Sequence, residues 1–186
     1  KIKRDDNLQV MRTIIKYAEN YKFKIIFPST ASYKYFGQKK RISKNIYPFD
    51  QYTQSKINCE KLLLKSFKEK KTDVTILRIF NVYGKSQKKG WLIPDLINKF
   101  LNKNFKEIKL KYYSNSRDFI YVEDVSEAIL KSIKLKGLNI LNIGTSIETK
   151  LFKIGQIISK KIKSDKKILL LDAKSKKNHM SKADIR

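Results

Sequence analysis

The chain has 186 residues, 41% of them hydrophobic, with a formal net charge of +26; this is the size of about one domain, and the apolar content excludes a disordered chain. No apolar run exceeds a few residues and the charged residues 1–6 precede no apolar stretch, so we expect neither a bilayer span nor a signal peptide. One cysteine, Cys59, excludes an internal disulfide and a multi-thiolate zinc site, and we expect a globular, cytoplasmic chain without a metal.

The first half of the chain alternates between helical and strand periods. Residues 7–20 have apolar positions at helical spacing, with Asn7 as the predicted N-cap, and residues 23–27 form a short apolar strand. The polar residues 31–49 predict a loop. Asp50 is then the predicted cap of a helix that extends to about residue 70.

The second half continues the alternation. Residues 74–80 are almost continuously apolar, which is typical of a strand buried on both faces of a parallel sheet. The capping box that starts at Asp124 predicts a helix to about residue 134. The other predicted elements are helices at 93–101 and 151–162 and strands at 108–113, 119–122, 139–143 and 168–171. Strands that alternate with helices in this way predict an α/β fold with a parallel sheet.

Tyr52 and Lys56 are four residues apart at the start of a predicted helix, so they share one helix face. A nearby ammonium lowers the pKa of a phenol, and a phenol that ionises near neutral pH can move a proton on and off an alcohol. Thr30 follows the preceding strand and Asn81 follows the next one. Because ligands of open α/β sheets bind at the carboxyl ends of the strands, these residues are predicted to meet at one sheet edge.

Five segments occur in an order that is characteristic of one family. They are Ser29-Thr30-Ala31-Ser32, then Tyr52-Thr53-Gln54-Ser55-Lys56 with Glu60 behind it, then Arg78-Ile79-Phe80-Asn81-Val82-Tyr83-Gly84, then Arg117-Asp118-Phe119-Ile120-Tyr121-Val122-Glu123-Asp124-Val125, then Asn142-Ile143-Gly144. The chain thereby resembles the extended short-chain dehydrogenases/reductases, the NAD-dependent sugar-nucleotide epimerases and dehydratases. The resemblance covers the C-terminal two-thirds of such a protein.

The resemblance implies a Rossmann-like parallel sheet that lacks its first strands, with a small C-terminal α/β substrate-binding region. Residues 1–90 would be the second half of the NAD-binding domain and would contain the catalytic Thr, Tyr and Lys. Residues 91–186 would mainly bind substrate, with 124–143 returning to the Rossmann-like sheet.

The resemblance also implies catalytic roles. Tyr52 would take the proton from a sugar hydroxyl while the hydride of that carbon goes to NAD. Lys56 would bind the nicotinamide ribose and depress the pKa of Tyr52, and Thr30 would hydrogen-bond the reacting oxygen. Phe80 would lie beside the nicotinamide.

A nucleotide-sugar substrate is implied in the same way. Asn81 would hold the diphosphate region, and Arg117 occupies the position of the pyrophosphate-binding arginine, a task that suits a forked cation. Asp118 is interpreted as a structural residue in a buried turn. The family is often a homodimer joined through the helices that are here 7–20 and 50–70.

One departure from the family pattern favours one reaction class. Dehydratases of the family usually follow the catalytic Thr with an Asp-Glu pair, whereas Ala31 and Ser32 stand here and cannot shuttle protons in that way. We therefore predict an epimerase similar to UDP-glucose 4-epimerase, which abstracts and returns a hydride through a 4-keto sugar. A nucleotide-sugar reductase or decarboxylase of the same family is the alternative.

The glycine-rich cofactor turn of the family is missing, because none of the six glycines has the Gly-x-x-Gly-x-x-Gly spacing. We therefore interpret the chain as a fragment that binds NAD poorly by itself, and we expect an exposed apolar sheet edge.

The positive charge leaves a second class of function open, a catalytically inactive basic protein that binds a partner or a polyanion. Only six of the 43 basic residues are arginine, and the lysines are spread along the whole chain. We therefore expect no specific nucleic-acid partner.

Overall fold

The structure is a computed structural model that describes residues 6–31, 33–35, 46–48, 50–70, 72–171 and 183. Its helices are α1 (Asp6–Tyr21), α2 (Gln51–Lys70), α3 (Leu92–Leu101), α4 (Val122–Ser132) and α5 (Leu151–Ile162). Its strands are β1 (Ile25–Thr30), β2 (Tyr33–Tyr35), β3 (Ile46–Pro48), β4 (Val74–Ile79), β5 (Asn81–Tyr83), β6 (Glu107–Lys111), β7 (Ser116–Tyr121), β8 (Leu138–Ile143), β9 (Glu148–Lys150) and β10 (Lys167–Leu171). The predicted α/β fold with parallel sheets is confirmed.

Three of the predicted helix starts differ from the structure, and the smallest difference is at α3, which begins one residue early at Leu92. Helix α1 already includes Asn7, whose side-chain amide donates to the Ser55 hydroxyl at 3.1 Å, so the predicted N-cap is wrong. Helix α4 begins at Val122, directly after β7, which leaves Asp124 inside the first turn where a carboxylate still favours the helix dipole. The Asp50 cap is confirmed, because its Oδ1 accepts a hydrogen bond from the Thr53 backbone N–H at 2.7 Å.

The predicted loop over 31–49 contains a short antiparallel pair. Strand β2 pairs with β3 from Tyr33 opposite Pro48 to Tyr35 opposite Ile46. Pairing satisfies backbone groups that a polar loop would have to leave to water. The prediction of an entirely irregular segment is therefore wrong at these residues.

The contacts divide the chain into two units. The first unit comprises the described residues of Lys1–Phe80 and Asp124–Ile143, and its sheet has the order β1-β4-β8 with parallel pairing throughout. Helices α1 and α2 pack against this sheet and share one apolar core with it. The members of that core are Met11, Ala18, Ile25, Phe27, Cys59, Leu63, Val74 and Ile76.

Strand β1 is at the end of this sheet, and a cavity lies beside it. A cavity of about 370 Å³ is lined by Val10 and Ile14 of α1 and by the consecutive residues 23–28. Val10 is 57% exposed and Phe23 is 43% exposed. The exposed apolar sheet edge stays a prediction, because Ile25 and Phe27 of β1 itself are buried.

The second unit comprises the described residues of Asn81–Glu123 and Gly144–Ala183. It contains a sheet of order β5-β7-β9 and the parallel pair β10-β6. Its core lies where α3 and α5 pack against β6, β10 and each other. The buried members of that core are Leu96, Phe100, Ile108, Leu110 and Ile158.

In the described part of each unit, a lysine caps a helix C-terminus. The Lys24 ammonium donates to the carbonyls of Ser132 and Leu135, at the end of α4. The Lys166 ammonium donates to three carbonyls at the end of α3, and the shortest of these bonds is 2.6 Å, to Asn102. A cation on carbonyls that have no partner inside their helix is favourable. Part of the lysine excess is therefore structural.

Candidate active site

The carboxyl ends of the three parallel strands of the first unit lie in register at one edge. Thr30, Ile79 and Ile143 are aligned across β1, β4 and β8. Beyond them, the Ala31 N–H donates to the Ile79 carbonyl at 2.9 Å and the Phe80 N–H donates to the Ile143 carbonyl at 3.0 Å. The prediction that the carboxyl ends of these strands share one sheet edge is confirmed.

The first two turns of α2 bring Tyr52 and Lys56 to the same strand. The Lys56 ammonium donates to the Pro28 carbonyl of β1 at 2.8 Å and lies over the Phe27 ring, 4.7 Å from its centroid. The same ammonium is 5.8 Å from the centroid of the Tyr52 ring. Tyr52 is 56% exposed, whereas Thr30 is buried. An accessible phenol and a fixed cation thus border the carboxyl end of β1.

The ionisation of Tyr52 differs from the sequence prediction. Partial burial of the phenol, and secondarily the nearby Asp50 carboxylate, raise the pKa of Tyr52 above 10.0. Burial lowers the pKa of Lys56, because it disfavours the ammonium form. The prediction that Lys56 depresses the pKa of Tyr52 is therefore wrong for this structure, where the ammonium hydrogen-bonds the Pro28 carbonyl.

The two predicted phosphate-binding residues are neighbours in the second unit. An Nη atom of Arg117 donates to Oδ1 of Asn81 at 3.3 Å. The Asn81 amide nitrogen in turn donates to the Asp118 carbonyl at 3.0 Å, which orients the amide. Arg117 is exposed. The sequence placed these residues 36 positions apart, and the parallel pairing of β5 with β7 brings them together.

Asp118 is fully buried and organises the turn after β8. Its carboxylate accepts hydrogen bonds from the backbone N–H groups of Thr145, Ser146 and Ala183 and from the Thr145 hydroxyl, at 2.6 to 3.0 Å. Gly144 is required beside it, because a Cβ there would lie 2.9 Å from Asp118 Oδ2. The structural role predicted for Asp118 is confirmed.

Three polar residues beside the site received no role from the sequence. Ser29, Glu60 and Arg78 are all buried, and they are joined by hydrogen bonds and an ion pair. Their signal was membership of the segments that carry the family resemblance, in which Glu60 is one helical turn after Lys56 and Ser29 directly precedes Thr30. We call these three residues the buried polar network.

Cys59 is buried in the core of the first unit, as expected of a small apolar side chain. Within the described ranges no cluster of three potential metal ligands is present, and no helix is both long and apolar enough to cross a membrane. Ser32 lies outside the described residues.

The fold and the residues at the sheet edge define a Rossmann-like α/β enzyme unit with a phenol–ammonium pair. The sequence profile of the NAD dependent epimerase/dehydratase family matches residues 3–144. The chain belongs to this family, within the extended short-chain dehydrogenases/reductases.

Individual relatives agree with this assignment. The chain is 37% identical over 112 residues to a CDP-abequose synthase of Salmonella muenchen, with 57% of this chain and 37% of that protein aligned. It is 31% identical over 168 residues to a putative UDP-glucose 4-epimerase of Methanocaldococcus jannaschii, with 85% of this chain and 54% of that protein aligned.

A solved structure shows the same fold. The UDP-N-acetylglucosamine 4-epimerase of Methanobrevibacter ruminantium M1, in complex with UDP-N-acetylmuramic acid, is 26% identical with a TM-score of 0.84. The match covers 96% of this chain and 60% of that one. The chain thus spans between a third and two-thirds of the length of these relatives.

Proposed function

We propose that the protein containing this chain is an NAD-dependent nucleotide-sugar epimerase, similar to UDP-glucose 4-epimerase. The observation that carries the proposal is the hydrogen bond of Lys56 to the Pro28 carbonyl, which places the ammonium beside Tyr52 at the carboxyl end of β1. Relatives of the chain act on nucleotide sugars as epimerases, dehydratases and reductases, according to their names. The choice of epimerase among these classes is the proposal.

The residues at the edge fit the nicotinamide-ribose end of NAD. Lys56 offers an ammonium with donors to spare for ribose hydroxyls, since one hydrogen bond to Pro28 uses a single N–H. Phe80, partly buried at the end of β4, would present a ring to the nicotinamide. NAD, when bound, supplies a reversible hydride acceptor.

The chain's own residues would handle the proton. Tyr52, exposed enough to meet a substrate, would accept the proton of the sugar hydroxyl and later return it. Thr30 would hydrogen-bond the same oxygen. Burial and the Asp50 carboxylate raise the pKa of Tyr52. The reactive phenolate is therefore scarce at neutral pH, and its fraction increases through the alkaline range. We expect kcat/KM to increase with pH on the alkaline side.

Asn81 and Arg117 would bind the diphosphate of the nucleotide sugar. The exposed guanidinium has further N–H donors beyond the one directed to Asn81, and a forked cation suits phosphate oxygens. Arg117→Lys is expected to raise the KM for the nucleotide sugar more than it lowers kcat, because lysine cannot bind two oxygens in the same way.

Ala31 favours an epimerase over a dehydratase. It follows Thr30 directly, is buried, and has no group that transfers a proton. A reductase or decarboxylase of the same family stays as the second candidate, since neither reaction needs a proton-transferring residue at this position. Net consumption of NADH by a 4-keto nucleotide sugar, or release of CO2 from a nucleotide sugar, would favour the second candidate.

The deciding variant is Tyr52→Phe in the complete protein. With UDP-glucose as the first of a panel of nucleotide sugars, we expect turnover to fall by about 10²–10⁴-fold while binding, measured by calorimetry, is largely kept. The matched control is Tyr112→Phe, an exposed tyrosine of the second unit to which we assign no role, and it should leave turnover unchanged. Retained turnover in Tyr52→Phe would contradict the catalytic role.

We also propose a cytoplasmic homodimer that associates through α1 and α2. The exposed side of α2 includes Lys61, Lys65 and Lys68, so two copies would bring like charges together. Dimerisation should therefore strengthen as salt is added, which light scattering at low and high ionic strength would measure.

A further inference from the structure

The buried polar network links three elements around one carboxylate. Glu60 of α2 accepts a hydrogen bond from the Ser29 hydroxyl of β1 at 2.6 Å. It also pairs with Arg78 of β4, whose Nη2 lies 2.6 Å from Oε2 and whose Nε lies 3.2 and 3.3 Å from the two oxygens. Each of the three residues is 5% exposed or less. The network therefore contains charges that the fold has taken out of water.

Its members are adjacent to the residues of the candidate active site. Ser29 immediately precedes Thr30 and lies opposite Arg78 in the β1–β4 register. Glu60 is one turn beyond Lys56 and two turns beyond Tyr52, about 12 Å along the helix axis. One carboxylate thus connects the helix of the phenol to the strand of the threonine.

The chemistry of the network restricts how α2 can move along the sheet. A guanidinium and a carboxylate joined by more than one hydrogen bond have a narrow range of geometries. Elsewhere, α2 packs against the sheet through apolar side chains of the core, which include Leu63 and Ile76. A shift of α2 along β1 would separate buried charges, which is strongly unfavourable, whereas apolar contacts alone would tolerate it.

We propose that Ser29, Glu60 and Arg78 are positioning residues that hold the start of α2 at a set height against the carboxyl end of β1. They would thereby maintain the arrangement of Tyr52 and Lys56 relative to Thr30. The expected effect on turnover rests on the proposed function. The expected effect on the position of α2 can be measured without a substrate.

Hydrogen exchange in the full chain tests the structural part. In Ser29→Ala and Glu60→Gln, the amides of residues 55–60 and 28–31 should exchange at least about tenfold faster than in the parent chain. Amides of α4, in the same unit, should keep their rates. Unchanged rates at 55–60, or an equal acceleration in α4, would overturn the proposal.

Two control variants match the chemistry in the same unit. Ser132→Ala removes another buried serine hydroxyl, which donates to the Ala128 carbonyl at 2.7 Å. Glu127→Gln removes the carboxylate of an exposed ion pair with Lys131. Neither should accelerate exchange at residues 55–60, and an acceleration equal to that of Ser29→Ala would count against the network.

Turnover of the complete protein tests the consequence for the site. Ser29→Ala should lower kcat about tenfold and change the KM for the nucleotide sugar less than twofold, and Ser29→Thr, which keeps a hydroxyl, should recover most of the rate. A Ser29→Thr variant as slow as Ser29→Ala would contradict the role of the hydroxyl. If the parent protein shows no turnover, the proposed function fails, while the exchange experiment still decides the positioning role.

Discussion

The two units bury a carboxylate in different ways. In the first unit Glu60 is neutralised by the guanidinium of Arg78, and the pair joins a helix to a strand. In the second unit Asp118 is held by backbone N–H groups and a hydroxyl, and it closes turns around itself. Where a helix must be fixed on a sheet, long charged side chains span the gap; where loops converge, short polar groups suffice. The two arrangements should respond differently to substitution.

The largest effect on stability is expected for Arg78→Met. Glu60 would then remain buried without its cation, which costs about 3–5 kcal/mol in the free energy of unfolding. Urea denaturation of the full chain measures this loss. Lys131→Met, which removes a cation from an exposed pair, should leave the midpoint unchanged. Equal effects in the two variants would refute the importance of burial.

Asp118→Asn should have the next largest effect. The amide nitrogen that replaces Oδ2 cannot accept the two backbone N–H hydrogen bonds that this oxygen now accepts. We therefore expect the free energy of unfolding to fall by about 1.5–3 kcal/mol, measured by urea denaturation. A loss as large as that of Arg78→Met would show that hydrogen bonds secure a buried carboxylate as firmly as a cation does, and the contrast between the units would disappear.

Gly144→Ala tests how tightly the turn around Asp118 is packed. The new Cβ would lie 2.6 Å from the Ala183 Cβ, so we expect a loss of about 1–3 kcal/mol. Gly155→Ala is the matched change inside α5, where the nearest atom would be 3.4 Å away. That variant should gain about 0.5–1 kcal/mol from helix propensity. Thermal or urea denaturation of both distinguishes packing from propensity.

The smallest effect is expected where the two units are alike. Lys24→Met and Lys166→Met each remove a cap from a helix C-terminus, and each should cost about 1 kcal/mol. Lys109→Met, an exposed strand lysine, serves as the control and should change little. A clear difference between the two caps would show that the surroundings of the helix end, rather than the cation, determine the stabilisation.

Most helices and strands could be predicted because their apolar period is a local property. Helix α5 was predicted with its observed bounds, and β4 was recognised from its continuous apolar run. The errors occurred where a tertiary contact decides the local structure. Asn7 is a residue type that often caps helices, but here its side-chain amide donates a hydrogen bond to the Ser55 hydroxyl of α2.

In the candidate site, too, local patterns identified the residues, whereas tertiary contacts determine their ionisation. Tyr52, Lys56 and Thr30 were found from spacing, strand ends and family resemblance. The pKa of Tyr52 was predicted in the wrong direction, because the burial of the phenol and the hydrogen bond that the Lys56 ammonium makes cannot be deduced from a four-residue spacing.

The amino-acid sequence by itself determined the α/β class, the family and the residue types available for chemistry, since periodicity and motif order are written along the chain. Only the tertiary structure decided which polar groups are buried together and what each one contacts. Glu60 and Arg78 are 18 positions apart, and Asn81 and Arg117 are 36 apart. Their pairing depends on strand register and helix packing, which the local pattern does not contain.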